Sequence, residues 1–229
     1  MAHASLSRAE RVGHRGIPRL WLENTLRGFE LAVEHGAEAV ELDVHRTSDG
    51  EVVVHHDPVV AGMPIISTPW NTLSEIRLDK NERIPRLADV FRAVGNRVTV
   101  YIELKGQDVE RAAIDVARKG SGRFAVHSFD HEAVGRAASY APDVQRGVLL
   151  DKGTPNVLRA MQEAVRRVGA RDVWPHRSLV DDSFVRAAHD IGARVIVWTV
   201  NESAEARRLE ALKVDGICGD DVRILVNPS

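Results

Sequence analysis

Residues 40–57 read VELDVHRTSDGEVVVHHD. Glu41 and Asp43 stand two positions apart among valines and a leucine. On an extended chain such residues point to the same side. If that side is buried, the two carboxylates repel and lose their hydration unless a cation sits between them. A Ser-Asp-Gly turn follows, and a second valine run ends in His55, His56 and Asp57. Elsewhere RVGHRG brings His14 and Arg15, and YIELK brings Glu103 and Lys105. Glu41, Asp43 and Glu103 offer only oxygen, which suits a hard divalent cation: Mg²⁺, Ca²⁺ or Mn²⁺. Such an ion polarises phosphoryl oxygens and offsets their charge. Arg15 and Lys105 would supply fixed positive charge to the other phosphate oxygens. His14 and His56 suit proton transfer near neutral pH. One would activate the attacking oxygen and the other would protonate a leaving alkoxide. The residues leave open which does which.

These groups act together only if the chain brings them together. Short β-branched runs alternate with stretches of helical spacing from RVGHRG to DGICGD. The alternating strands number roughly eight, which predicts a single-domain (β/α)8 TIM barrel over residues 1–229. EVVVHHD adds a hairpin partner to the second strand. Residues 58–85, rich in proline and turn formers, predict a long loop insertion after it. The competing doubly wound sheet usually has a Gly-rich phosphate loop after strand one, but the turn here reads GHRGIPRL. In ENTLRGFELAVEHGA, Leu26, Phe29 and Val33 share a helical face, Asn24 or Thr25 caps its start, and Gly36 stops it. Barrel chemistry sits at the C-terminal ends of strands. The residues falling there are His14, Arg15, Glu41, Asp43, His56, Glu103, Lys105, His127, Ser128, His176, Trp198, Asn201 and Asp215. The inference requires parallel strands.

Composition is that of an ordinary globular chain: 229 residues, 44 % hydrophobic and 28 % charged. The net charge of -2 gives no electrostatic reason for nucleic acid as a partner. Cys218 is the one cysteine, which excludes an internal disulfide and a thiolate zinc site. No apolar run reaches transmembrane length, and MAHASLSRAERVGHRG has no signal-peptide core. A cytoplasmic location without stable membrane insertion is the expectation.

Some residues have plainer roles open to them. Val40, Leu42 and Val44 could form the inward face of their strand instead of Glu41 and Asp43. His45 falls at the rim and His55 points away from His56. Ser128 could cap a helix. His127 and His176 could touch a substrate or not, and Trp198 could be core. Cys218 reads as a small buried residue.

The ordered set GHRG, ENT, VELDVHRTSDGEVVVHHD, IELK, VIVWTVN and VDGI resembles the glycerophosphodiester phosphodiesterase family over nearly the whole chain. The resemblance implies a (β/α) barrel and hydrolysis of a small-molecule glycerophosphodiester to glycerol 3-phosphate and an alcohol. It implies one divalent cation, Mg²⁺ or Ca²⁺, on Glu41, Asp43 and Glu103. It implies His14 and His56 as the acid/base pair, phosphate contacts from Arg15 and Lys105, and Trp198 lining the site. The chain departs from the family pattern at Leu22-Glu23-Asn24-Thr25, where Pro usually precedes Glu, and at Cys218-Gly219-Asp220, where Thr usually precedes Asp. Two alternatives share these residues: a lyase forming a cyclic phosphate, and a non-catalytic phosphate-ester binding module.

Overall fold

The valine-rich runs bounded by turn residues become strands, and in the computed structural model, which describes residues 8–225, eight of them close on one another. They are β1 (Glu10–Gly13), β2 (Ala39–Arg46), β3 (Thr99–Leu104), β4 (Arg123–Ser128), β5 (Gln145–Leu150), β6 (Asp172–Pro175), β7 (Arg194–Val197) and β8 (Gly216–Gly219). Each runs parallel to its neighbours, and β1 pairs with both β2 and β8, so the sheet is a cylinder. The C-terminal strand ends therefore meet at one rim; Asp215, expected among them, instead precedes β8 at the opposite end.

Helices α1 (Leu26–Glu34), α2 (Leu87–Val94), α3 (Glu110–Lys119), α4 (His131–Tyr140), α5 (Val157–Val168), α6 (Asp182–Asp190) and α7 (Ser203–Ala211) follow β1 to β7 in turn. A 3-10 turn, Val222–Leu225, follows β8. Residues of the tail beyond 225 lie outside the described part. Thr25, not Asn24, caps α1: its hydroxyl accepts from the Gly28 N–H. None of the described helices is long and apolar enough to cross a membrane.

The period-2 alternation of β2 resolves one way. Val40, Leu42 and Val44 pack outward with Leu87 and Phe91 of α2 and with Val100, Ile102 and Leu104 of β3. Glu41 and Asp43 therefore face the barrel interior. That interior holds Val12, Tyr101, Ala125, Leu149, Trp174, Ile196 and Cys218. Its N-terminal end is closed by a polar plug. Tyr101 and Arg194 both donate to Glu10, at 2.8 Å, and Arg194 reaches Asp172 at 3.4 Å. Arg171 donates to both carboxylate oxygens of Asp172, at 2.8 and 2.6 Å.

The hairpin partner of β2 is Val52–Val54, antiparallel to it. Residues 58–85 form a loop with a core of its own. Val59–Val60 pairs with Met63–Pro64, and Trp70–Leu73 forms one helical turn. Val60, Ile65, Leu73 and Ile84 pack against Val53 beneath them. Elements of two to four residues are too short to show a period in sequence.

Candidate active site

The site begins at the GHRG turn. A Cβ on Gly13 would lie 2.4 Å from the Gly16 carbonyl oxygen, so the chain can fold back here only with glycine. Arg15 and Gly16 both take left-handed backbone angles, with φ of 51° and 93°. This turn aims the Arg15 N–H at Glu41 (3.1 Å) and brings its Nε to 3.1 Å from Asp43. Its Nη1 donates to Glu23 at 3.1 Å. Asn24, also left-handed at φ 55°, donates to Asp43 at 2.9 Å. The Leu-Glu-Asn-Thr segment makes three contacts: Glu23 holds Arg15, Asn24 holds Asp43, and Thr25 caps α1.

Strand register then assembles the acids. Asp43, Glu103 and His127 are partners across β2, β3 and β4, while Glu41 sits one step deeper, beside Tyr101. Each of Glu41, Glu103 and His127 offers one ligand atom, and these atoms all lie within 4.8 Å of one another. The His127 Nε2 is 3.7 Å from Glu41, and neither of its ring nitrogens has a hydrogen-bond partner although the ring is buried. Trp174 meets that ring edge-on, 4.3 Å between centroids, and fixes it. Asp43 stands beside this group and is not one of its members. Its Oδ2 faces Arg15 and Asn24. Its Oδ1 is buried without a hydrogen bond, 3.6 Å from Lys105. Lys105 also lies 3.4 Å from Glu103.

The electrostatics are those of crowded buried acids. Burial, then the negative charges of Asp43 and Glu41, push the Glu103 carboxyl up to about 7. Burial works the same way on Glu41, but His127, His14 and Arg15 outweigh it and hold that carboxyl low. Two buried carboxylates, an imidazole with neither nitrogen hydrogen-bonded and excess negative charge suit a divalent cation.

The two histidines stand over this group, each with a carboxylate on Nδ1. His14 Nδ1 is 2.7 Å from Asp220, which is itself gripped by Asn201 through contacts of 2.6 and 3.0 Å. Burial lowers the His14 pKa, but the Asp220 bond and the Glu41 charge outweigh it and raise it. His56 Nδ1 is 2.8 Å from Asp57, and His45 supports the His56 carbonyl at 3.2 Å. Nε2 is then the free nitrogen of each ring. His14, Arg15, Glu41, His56, Glu103, Lys105 and Trp198 all line one cavity of about 120 Å³, with His127 and Cys218 also in its wall. Of the proposed catalytic, phosphate-contacting and metal-ligating residues only Asp43 is outside the lining, held against Arg15 and Lys105, which belong to it.

The remaining candidates sort as follows. Ser128 donates to the Leu104 carbonyl, and Asp130 is the cap of α4. His55 accepts from the Asp57 N–H. The His176 ring meets Trp198, 5.4 Å between centroids, at the rim. Asp215, beneath β8, bonds His189 away from the site. Cys218 is buried, and burial holds its thiol protonated. Asp220 and Asn201 as holders of His14 did not emerge from sequence. The signals were Asn201 at a strand end and Asp220 in the closing motif, neither of which says that it reaches His14.

Residues 14–224 match the model of the glycerophosphoryl diester phosphodiesterase family. A glycerophosphodiester phosphodiesterase of Caldanaerobacter subterraneus subsp. tengcongensis is 30 % identical over 94 % of this chain and 96 % of its own. The crystal structure of a glycerophosphodiester phosphodiesterase from Thermotoga maritima superposes with a TM-score of 0.83 at 26 % identity, covering 95 % and 97 % of the two chains. An Oleispira antarctica phosphodiesterase, solved in complex with the product sn-glycerol-3-phosphate, shares the fold with a TM-score of 0.86 at 23 % identity, over 96 % and 95 %.

Proposed function

This chain belongs to the glycerophosphoryl diester phosphodiesterase family, and on that premise we propose that it hydrolyses a small glycerophosphodiester to glycerol 3-phosphate and an alcohol with a divalent cation and two histidines. The observation that carries the reading is the convergence, in one cavity, of Glu41, Glu103 and His127 with two carboxylate-anchored histidines. Glu41, Glu103 and His127, with Asp43 alongside, would hold one Mg²⁺, Ca²⁺ or Mn²⁺. That ion supplies polarisation of a phosphoryl oxygen and positive charge against the phosphate.

The chain's own groups do the rest. Arg15 and Lys105 bind the phosphate oxygens and position the phosphorus. One histidine Nε2 accepts the proton of the attacking water. The other donates a proton to the alkoxide as its bond to phosphorus breaks, and the proton count balances over the two rings. Asp220 and Asp57 keep each ring oriented and stabilise its cationic form, as a carboxylate does beneath a catalytic imidazole. Trp198, whose indole N–H donates to the Trp174 carbonyl at 2.9 Å, presents a fixed apolar wall.

A chelator is expected to abolish turnover. His14→Ala and Glu41→Ala are each expected to lower kcat by about 10²–10⁴. Turnover that survives either substitution or the chelator contradicts the reading. Tight phosphate-ester binding without product marks a binding module instead.

A further inference from the structure

The ligand set that the fold assembles differs from the oxygen-only set that the sequence offers. Asp43 is already engaged. Its Oδ2 lies 3.1 Å from Arg15 and accepts from Asn24 at 2.9 Å, and its Oδ1 lies 3.6 Å from Lys105. The atoms that can close around one ion belong instead to Glu41, Glu103 and His127. Two carboxylates and an imidazole nitrogen replace three carboxylates.

His127 has no other partner among the described residues. It is buried at the end of β4, level with Glu103, and neither of its ring nitrogens is hydrogen-bonded. Its Nε2 is 3.7 Å from the Glu41 carboxylate, too long for a hydrogen bond. A buried polar group left in that state is costly unless something binds it. A ligating histidine is usually oriented by a hydrogen bond on its second nitrogen. Here aromatic packing orients the ring. Trp174 meets it edge-on, 4.3 Å between centroids, and Tyr101 lies parallel to it at 6.3 Å. The ring is thus held in place with a nitrogen lone pair to spare, among carboxylates that carry excess negative charge.

We infer that the imidazole of His127 is a direct ligand and sets the class of ion this chain takes: a first-row transition ion such as Mn²⁺ or Zn²⁺ in preference to Mg²⁺ or Ca²⁺. The inference rests on the hydrolase reading above and deepens it at the same site. Mg²⁺ and Ca²⁺ are hard ions that take oxygen ligands. First-row ions accept carboxylate oxygen and imidazole nitrogen together, and nitrogen favours them. Glu41 and Glu103 serve either class, so Mg²⁺ and Ca²⁺ still bind in excess. His127 is the group that separates the two classes.

The probe is Mn²⁺, the weakest binder of the first-row series, added to the purified protein without substrate. Pulsed EPR is expected to show the nitrogen coupling of an imidazole bound to Mn²⁺, and His127→Gln is expected to lose it. By calorimetry the preference for Mn²⁺ over Mg²⁺, read as the ratio of their dissociation constants, is expected to fall about tenfold in His127→Gln. His14→Ala and His56→Ala remove the other two imidazoles of the cavity and are expected to keep the coupling. They carry the test if His127→Gln does not fold. Bound Mn²⁺ without nitrogen coupling, a coupling that survives His127→Gln or disappears in His14→Ala or His56→Ala, or an unchanged ratio overturns the inference and leaves the hydrolase reading standing. A protein that binds none of these ions overturns both.

Discussion

Glu103 couples protonation, stability and ion binding at a single side chain. Its carboxyl, raised to about 7 from an ordinary 4.5, binds its proton more tightly folded than unfolded. That favours the folded state below pH 4.5 and is lost as pH rises through about 7. Without a cation the protein is therefore expected to lose stability across this interval. An ion needs the deprotonated carboxylate, so the rise in Tm on adding Mg²⁺ or Ca²⁺ should grow between about pH 5.5 and about pH 8. A pH-independent rise would contradict the assignment of Glu103 as a ligand. The His14–Asp220 pair has a different window. Asp220, lowered below 3.8, contributes above that value, and its contribution is lost as pH falls. His14, raised above 6.5, contributes below 6.5, and its contribution is lost as pH rises past its folded value. Asp220→Asn should therefore destabilise most between about pH 4 and 6.5, and less at alkaline pH, by urea unfolding. At this scale the gathering of Glu41, Glu103, His14, His56, Arg15 and Lys105 around one cavity was legible in sequence, because residue type and strand-end position carry chemistry. His127 as a neighbour of Glu41 was not. It depends on the β3–β4 register that sets His127 level with Glu103, and no local pattern encodes that.

Among elements, the GHRG turn and the 58–85 loop put opposite demands on sequence. The turn is legible because only glycine can fill two of its positions. Gly13→Ala would drive a methyl to 2.4 Å from a backbone oxygen. The β1 end should shift, and both stability and turnover should fall; a variant with wild-type Tm and kcat would contradict this. The loop is illegible because its order comes from burial rather than period. Leu73 and Ile65 are fully buried in a cluster formed with Val53 of the hairpin. Leu73→Ala is expected to cost about 2–5 kcal/mol, measured by denaturant unfolding. That cluster also braces the hairpin that carries His56, so kcat should fall with it. Strands and helices of ordinary length stood where period and turn residues placed them. Their partners stood there too, since right-handed parallel crossovers leave little choice of neighbour.

For the whole molecule, closure of the barrel makes chemistry and stability use opposite ends of the same strands. The C-terminal rim gathers like charges at a cost in stability, while the N-terminal end joins Glu10, Tyr101, Asp172, Arg171 and Arg194 in a satisfied network. Arg194→Met removes contacts to Glu10 and Asp172 together. A loss of about 1–3 kcal/mol is expected, with kcat nearly unchanged because the plug lies at the far end from the cavity; a large loss of kcat would contradict that division. The parallel direction that this division needs was an assumption of the sequence reading, and the pairing of β1 with both β2 and β8 supplies it. The central claim is that acids from separate strands hold one divalent ion under two histidines and that this centre splits a glycerophosphodiester. Phosphorus NMR of the purified protein with such a diester tests it most directly. Expected is a single growing monoester resonance, glycerol 3-phosphate, that stops on addition of EDTA and resumes with excess Mg²⁺ or Ca²⁺. An unchanged diester, growth indifferent to EDTA, or accumulation of a cyclic phosphate would contradict it.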